Sequence, residues 1–194
     1  MIKIKNISVV IPSAGKREEE LKKIILHLKE VGFEDIIIRY DDDTPTINGD
    51  INRLLAVEDA KNDIIYSQDD DCMIHNIGQL IKNYKKDSIT HNMTAERMRY
   101  YNSIGLEEMP LIGWGAIYHK DLLDNIQPYL DKYGVDDLFR RDANRVFAWM
   151  NKKITLISDN HIEHFPSEAE GISKDSSFHE KCMWDMAERL KTLN

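Results

Sequence analysis

Apolar positions change period along the first half of the chain, which predicts alternating strands and helices. Ile7 to Ile11 is a run dominated by β-branched residues, typical of a strand buried on both faces of a parallel sheet. Residues 17–31 carry apolar side chains at helical spacing, and Gly32 is the predicted C-cap. Further strands are predicted at 35–40, 64–66 and 88–93, and further helices at 51–60 and 77–84. This order predicts an α/β fold with a mostly parallel, doubly wound central sheet flanked by helices.

The second half of the chain is less regular. Its pattern predicts helices at 120–133 and 136–150 and a strand at 154–157. From residue 176 the apolar residues Phe178, Cys182, Met186 and Leu190 recur every four positions, which predicts an amphipathic closing helix. At 194 residues the chain fits one domain with a substantial core.

Composition and charge narrow the functional classes. The chain is 42% apolar and 31% charged, as in ordinary globular proteins, and contains no apolar run long enough for a membrane span. The net charge of −8 argues against a surface that coats nucleic acid. The first apolar run ends at Pro12 and is interpreted as a strand, not a secretory signal, so a cytoplasmic location is expected, with Cys72 and Cys182 as thiols.

Polar residues follow the first three predicted strands, and the carboxyl ends of parallel strands border one crevice. These segments are Pro12-Ser13-Ala14-Gly15-Lys16, Asp41-Asp42-Asp43 and Asp69-Asp70-Asp71. Adjacent carboxylates repel one another, and a hard cation such as Mg²⁺ or Mn²⁺ removes that repulsion while sharing its shell with substrate phosphates. The third segment therefore predicts a metal site, with a solvated acidic turn as the alternative. Asp41 is a candidate acceptor for a base or ribose hydroxyl, or simply part of a turn.

Two motifs carry a family resemblance. Ser8-Val-Val-Ile-Pro12 followed by a helix, and then Ile64-Ile-Tyr-Ser-Gln-Asp-Asp-Asp71, resemble the nucleotide-binding half of GT-A glycosyltransferases, particularly family 2-like enzymes of small soluble phage or bacterial type. The likeness spans roughly residues 7–165. It implies a GT-A fold with a nucleotide-binding half at about 1–93, an acceptor half at about 94–175 and the closing helix at about 176–192.

The resemblance also implies ligands for this motif. In that family an Asp-x-Asp motif holds Mn²⁺ or Mg²⁺ against the diphosphate of a nucleotide-sugar, here expected to be a UDP-sugar. Asp69 and Asp71 match the ends of the motif and Asp70 its middle. A late histidine often completes the metal shell, which makes His164 the third candidate ligand. The implied donor-binding residues are Pro12, Ser13, Ala14, Lys16, Asp41, Asp69, Asp70, Gly113 and Trp114.

Two later segments extend the likeness. Leu111-Ile-Gly-Trp-Gly-Ala-Ile-Tyr118 resembles the segment beside the donor sugar, where Gly113 allows close backbone approach and Trp114 either stacks on a sugar or belongs to the core. Asp136-Asp137 resembles the acidic pair that supplies the general base in inverting members, which implies Asp137 as the base with Asp142 in reserve. An N-cap explains one of the pair without any catalytic role.

The expected activity is therefore metal-dependent glycosyl transfer by single displacement. The acceptor stays open among glycans, small molecules, proteins and nucleic-acid bases, and the lack of a QxxRW-like motif argues against a processive polysaccharide synthase. Two alternatives remain. One is a sugar-phosphate nucleotidyltransferase, although Ser13-Ala-Gly-Lys16 only faintly resembles its phosphate loop. The other is a non-catalytic nucleotide- or carbohydrate-binding module.

Overall fold

A computed structural model describes residues 2–13, 15, 17–41, 50–151, 153–166 and 176–193. The strands are β1 (Ile7–Ser13), β2 (Asp35–Tyr40), β3 (Ile64–Ser67), β4 (Cys72–Ile74), β5 (Ile89–Met93), β6 (Ala116–His119), β7 (Lys153–Ile157) and β8 (Ile162–His164). The α-helices are α1 (Glu18–Val31), α2 (Ile51–Glu58), α3 (Ile77–Asn83), α4 (Ala95–Ser103), α5 (Gln127–Tyr133), α6 (Asp137–Trp149) and α7 (Ser176–Lys191). Short 3₁₀ helices occupy Ile4–Asn6 and Lys120–Ile126.

Six strands form the main sheet in the order β2-β1-β3-β6-β5-β7. β1 pairs in parallel with β2 and β3, and β5 pairs in parallel with β7. β6 runs antiparallel to both β3 and β5, so the sheet is mostly rather than wholly parallel. A separate two-stranded antiparallel sheet joins β4 to β8. The carboxyl ends of β1, β3 and β5 and the start of β6 therefore share one edge of the main sheet.

Hydrophobic cores cover both faces of the main sheet. Val9 and Ile11 point into a cluster with helices α1 and α3, whereas Val10 points into a cluster with α2, α6 and α7. This alternation follows from the two-residue period of a strand and explains why β1 is apolar at nearly every position. α1 contributes Leu21, Ile24 and Leu28 from one face.

Helix ends agree with the sequence signals in two places. α1 ends at Gly32, whose φ of 109° lies in the left-handed region that glycine tolerates, as the pattern predicts. Asp136 is the N-cap of α6 and its carboxylate accepts from the Phe139 amide. The helix predicted at 120–133 is instead a 3₁₀ turn followed by α5, and Pro128 stands in the first turn of α5.

Candidate active site

Asp70 is held by the end of β1. It follows β3, which pairs directly with β1, and it is only 8% exposed. The Ser13 hydroxyl donates to one carboxylate oxygen at 2.6 Å, and Arg17 donates to the other at 3.1 Å. The Arg17 guanidinium also lies 3.6 Å from the carboxylate of Asp71. Asp70 is therefore anchored to β1 and to Arg17 through both of its carboxylate oxygens.

Asp69 is held by a buried arginine on α2. Arg53 is 1% exposed, and its guanidinium donates to the Ser67 hydroxyl at 2.5 Å and to the Gln68 carbonyl at 3.0 Å. The same guanidinium forms an ion pair with the Asp69 carboxylate. A buried arginine is stable only with such partners. Arg53 was not predicted as a site residue, although a cation on the otherwise apolar face of residues 51–57 is a usable signal.

Asp71 is the least satisfied of the three carboxylates. One of its oxygens is buried and has no hydrogen-bond partner, while the other faces Arg17. Burial, together with the negative charges of Asp69 and Asp70, raises the pKa of Asp71 to about 6 against the opposing effect of Arg17. A carboxylate oxygen that lacks a hydrogen-bond donor and lies near other negative charges would be stabilised by a bound cation.

The segment between Ile112 and Ala116 lies directly against this cluster. The Asp69 amide donates to the Gly113 carbonyl at 2.7 Å, and a Cβ added at Gly113 would overlap the Asp69 carboxylate. Gly115 has a φ of 84°, and Asn92 donates to the neighbouring Trp114 carbonyl at 3.1 Å. Glycine is therefore needed at 113 for space and at 115 for backbone conformation.

The Trp114 ring, next to Gly113 in sequence, contacts His164 and Arg97. The His164 ring, at the end of β8, meets it edge-on with the ring centroids 4.6 Å apart. The Arg97 guanidinium of α4 lies 5.0 Å from the centre of the Trp114 ring. Partial desolvation and Arg97 lower the pKa of His164, and Asp69 opposes them, so the neutral imidazole is favoured.

A second pair of buried charges lies behind Asp69. Asp142 and Arg145 of α6 form an ion pair of 2.7 Å, and both side chains are less than 10% exposed. Burial raises the pKa of Asp142, and the neighbouring Asp50 raises it further. Burial also raises the pKa of Asp50 to about 6, an effect that Arg53 and Arg145 oppose and Asp69 reinforces. Asp50 thus links the Asp142 pair electrostatically to the cluster after β3.

Comparison with solved structures identifies this architecture. The catalytic domain of Drosophila β1,4-galactosyltransferase 7, in complex with xylobiose, matches with a TM-score of 0.55 at 13% identity, covering 89% of this chain and 79% of that one. Glucosyl-3-phosphoglycerate synthase from Mycobacterium tuberculosis, in complex with Mn²⁺, UDP-glucose and phosphoglyceric acid, matches at 0.58 and 11% identity, covering 96% and 80%. The chain has the GT-A glycosyltransferase fold.

A third solved structure matches over almost all of both chains. A glycosyltransferase involved in glycosylation of the major capsid of PBCV-1 matches with a TM-score of 0.55 at 11% identity, covering 96% of this chain and 98% of that one. No protein-family model and no curated protein sequence matches the chain. At these identities the structural matches show the fold.

Acidic side chains are the candidate ligands for the metal predicted for this GT-A fold. Within the described ranges, no group of three or more His, Cys, Asp or Glu side chains is arranged to hold a metal ion. Mg²⁺ in nucleotide sites is commonly bound through one or two carboxylates, with phosphates and water completing the shell. The orphaned oxygen of Asp71 beside Asp69 fits that smaller donor set. The metal role of His164 stays a prediction.

The acidic pair predicted to supply the base lies in a different place from Asp142. Asp136 caps α6 and forms a 2.6 Å ion pair with Arg189 of α7. Asp137 is exposed in the groove between α6 and α7. Asp142 has non-helical dihedral angles inside α6, and its buried carboxylate pairs with Arg145 of the same helix. Of these three carboxylates, Asp142 is the one on which Asp50 acts electrostatically, and Asp50 in turn is affected by Asp69.

The remaining predicted donor-binding residues have mixed outcomes. Ala14 and Lys16 lie outside the described residues, as do Asp42 and Asp43. Asp41 accepts from the Asn52 side chain at 2.9 Å, and its amide donates to the Ser13 carbonyl, so it joins the end of β2 to β1 and α2. Pro12 is part of β1 and pairs with Arg39. Their roles toward a nucleotide stay predictions.

Among the described helices, none has both the length and the apolar character that crossing a bilayer requires.

Proposed function

We propose that the protein is a metal-dependent glycosyltransferase that moves a sugar from a UDP-sugar to an acceptor hydroxyl. The observation that carries the proposal is the buried, unpartnered oxygen of Asp71 within an acidic cluster at the carboxyl end of a parallel strand. The neighbouring carboxylates are already held by Arg53 and Arg17. The GT-A neighbours that were solved with Mn²⁺ and UDP-glucose support the same choice of cation and donor.

Separate residues of the chain would act on the leaving group and on the nucleophile. Asp71, with the Asp69 oxygen that does not pair with Arg53, would bind the cation, which when present offsets negative charge on the departing diphosphate. Arg17 approaches from the amino-terminal end of α1, where its guanidinium has donors available for phosphate oxygens as well as for Asp70. The bond between the anomeric carbon and the UDP oxygen breaks, and the acceptor oxygen bonds to that carbon.

For the general base we favour Asp142 over Asp136 and Asp137. The base must accept the acceptor proton as the new bond forms, and a pKa close to the working pH suits that role. Burial raises the pKa of Asp142, whereas the Arg189 ion pair and the Phe139 amide outweigh burial and lower the pKa of Asp136. Asp142 also interacts electrostatically with Asp50, and Asp50 with Asp69. A single displacement with this base inverts the anomeric configuration.

UDP release from a panel of UDP-sugars tests the proposal. With Mn²⁺ or Mg²⁺ we expect turnover that EDTA abolishes, and we expect Asp71→Asn to reduce it by about 100-fold, the range seen when one group that stabilises transition-state charge is lost. Asp124→Asn, which removes an exposed carboxylate from the 3₁₀ turn at Lys120–Ile126, is the matched control and should leave turnover unchanged.

Other outcomes of the same assay would separate the alternatives. Pyrophosphate formed from UTP and a sugar phosphate would indicate a nucleotidyltransferase. Tight UDP binding without turnover of any UDP-sugar, with metal present, would indicate a binding module. Undiminished turnover in Asp71→Asn would remove the proposed metal site.

A further inference from the structure

Arg97 lies in an aromatic pocket beside the proposed donor site. Its guanidinium carbon is 5.0 Å from the centre of the Trp114 ring and 5.7 Å from the rings of both Tyr100 and Tyr101. The side chain is partly buried on the first turn of α4. Cation–π contacts with the faces of aromatic rings orient a guanidinium while leaving its N–H edge available for hydrogen bonds.

Arg97 differs from the other arginines around the site in the groups that contact its guanidinium. Arg17, Arg53, Arg145 and Arg189 each form an ion pair with a carboxylate. Arg97 has no carboxylate partner in the part of the chain that the structure describes; its contacts there are with aromatic rings. In a chain with a net charge of −8, an oriented and unpaired guanidinium is a binding group for an anion.

The distance between Arg97 and the acidic cluster determines where an anion bound by Arg97 would lie. α4 follows β5, and β5 lies two places from β3 in the sheet, with β6 between them. A spacing of about 4.8 Å between strands puts the ends of β3 and β5 about 10 Å apart, roughly the width of one or two sugar rings. Trp114 bridges this interval, because its neighbour Gly113 accepts from the Asp69 amide while its ring contacts Arg97.

We propose that Arg97 binds an anionic group, a phosphate or a carboxylate, on the acceptor. This inference rests on the proposed glycosyltransferase function, since it assigns the side of the crevice away from Asp69 to the acceptor. The planar guanidinium matches either anion with two parallel hydrogen bonds. The acceptor is thus an acidic molecule, a phosphorylated or carboxylated sugar or polyol, whose hydroxyl is presented to the donor while its anion is anchored at α4.

A titration of inorganic phosphate into the protein saturated with UDP and Mg²⁺ tests Arg97 directly. UDP occupies the donor side, so the added phosphate reports on the remaining anion site through the melting temperature. We expect saturable stabilisation by phosphate in the wild type, an apparent Kd at least about tenfold weaker in Arg97→Gln, and a smaller weakening in Arg97→Lys. Repeating the titration with acetate distinguishes a phosphate from a carboxylate preference.

Arg99→Gln is the matched control, because it removes the same charge from an exposed position on the same helix. Equal phosphate responses in Arg97→Gln and Arg99→Gln would overturn the proposal, as would an unsaturable response in the wild type. Loss of the UDP-dependent stabilisation itself in Arg97→Gln would also overturn it, by assigning Arg97 to the donor. If UDP fails to stabilise the wild type, the donor site is contradicted, whereas the phosphate titration still decides the role of Arg97.

Discussion

Asp69, Asp70 and Asp71 are adjacent in sequence but differ in their partners. Arg53 pairs with the first, and Ser13 and Arg17 bind the second, whereas the third keeps an unpartnered oxygen. The sequence alone gives no basis for assigning these different partners to the three carboxylates. Their different environments come from contacts across long separations, such as the 57 residues between Ser13 and Asp70. A local pattern therefore predicts the cluster but not the division of roles within it.

Asp71→Asn should stabilise the ligand-free protein at neutral pH. The pKa of Asp71 in the folded state, about 6, lies above its usual value of 3.8, so the folded state loses stability as pH rises from about 4 to 7. The side chain is 37% exposed, and solvent screening reduces the full linkage value to about 1 kcal/mol. Thermal unfolding at pH 4 and pH 7 checks this: the gain should be present at pH 7 and absent at pH 4. A variant less stable than the wild type at pH 7 would contradict the environment assigned to Asp71.

Gly113→Ala should impair donor binding more than folding. Its methyl group would overlap the Asp69 carboxylate, which must rotate away from Arg53 and from the proposed cation site. We expect at least about tenfold weaker UDP binding in the presence of Mn²⁺, with a stability loss of about 1–3 kcal/mol. Gly78→Ala is the control: nothing lies within 4 Å of the added methyl group in α3, and stability should rise by about 0.5–1 kcal/mol. Equal UDP affinity in the two variants would show that Gly113 is not needed for space.

At the scale of elements, local periodicity predicts the long or strongly patterned segments well. β2 has the predicted bounds, and α1 and α3 each differ from the predicted bounds by one residue at one end, because their apolar patterns and the Gly32 cap are local signals. β4 and β8 have three residues each and depend on pairing with one another across the chain, so no local pattern predicts them. α4 was also missed, since its apolar positions are few and Tyr101 is its one buried residue. β6 was not predicted as a strand, and its antiparallel direction depends on tertiary pairing.

Helix α6 begins at a structural carboxylate, the N-cap Asp136, and contains the proposed catalytic carboxylate, Asp142. Asp136→Ala removes the N-cap and the Arg189 ion pair and should cost about 1–2 kcal/mol of stability, with transfer per folded molecule unchanged. Asp142→Asn keeps the side-chain shape beside Arg145 but removes both the proton acceptor and the charge that pairs with this buried arginine. It should therefore cost about 3–5 kcal/mol of stability, and transfer per folded molecule should fall by about 100-fold while UDP binding persists. Transfer rates and UDP affinities of both variants, measured on folded protein, check the assignment. Full transfer in Asp142→Asn would exclude Asp142 as the base, and loss of transfer in Asp136→Ala would favour the capping pair.

At the scale of the whole molecule, the mostly parallel sheet brings separate polar segments to one edge. The ends of β1 and β3, the start of β6 and the helix after β5 contribute Ser13, Asp69 to Asp71, Trp114 and Arg97. The order of strands and helices predicted that the ends of β1, β2 and β3 meet at this edge, since parallel strands share one carboxyl edge. Trp114 was expected there from the family resemblance, and Arg97 was not predicted. The contributions of Arg53 on α2 and of the ion pair between Asp142 and Arg145 on α6 were not predicted. The burial of these groups and the partners of Arg53 depend on tertiary contacts that a local pattern does not reveal.

The most direct measurement is the melting temperature of the protein with UDP and Mn²⁺, with and without EDTA. Ligand at about 100 times its Kd stabilises the folded state by about 2.7 kcal/mol, which corresponds to a rise of roughly 5–10 °C for a chain of this size. The account predicts that rise in the wild type, its loss on adding EDTA and its absence in Asp71→Asn. No shift in the wild type, or a shift of the same size in Asp71→Asn, would contradict a cation-dependent donor site at the end of β3.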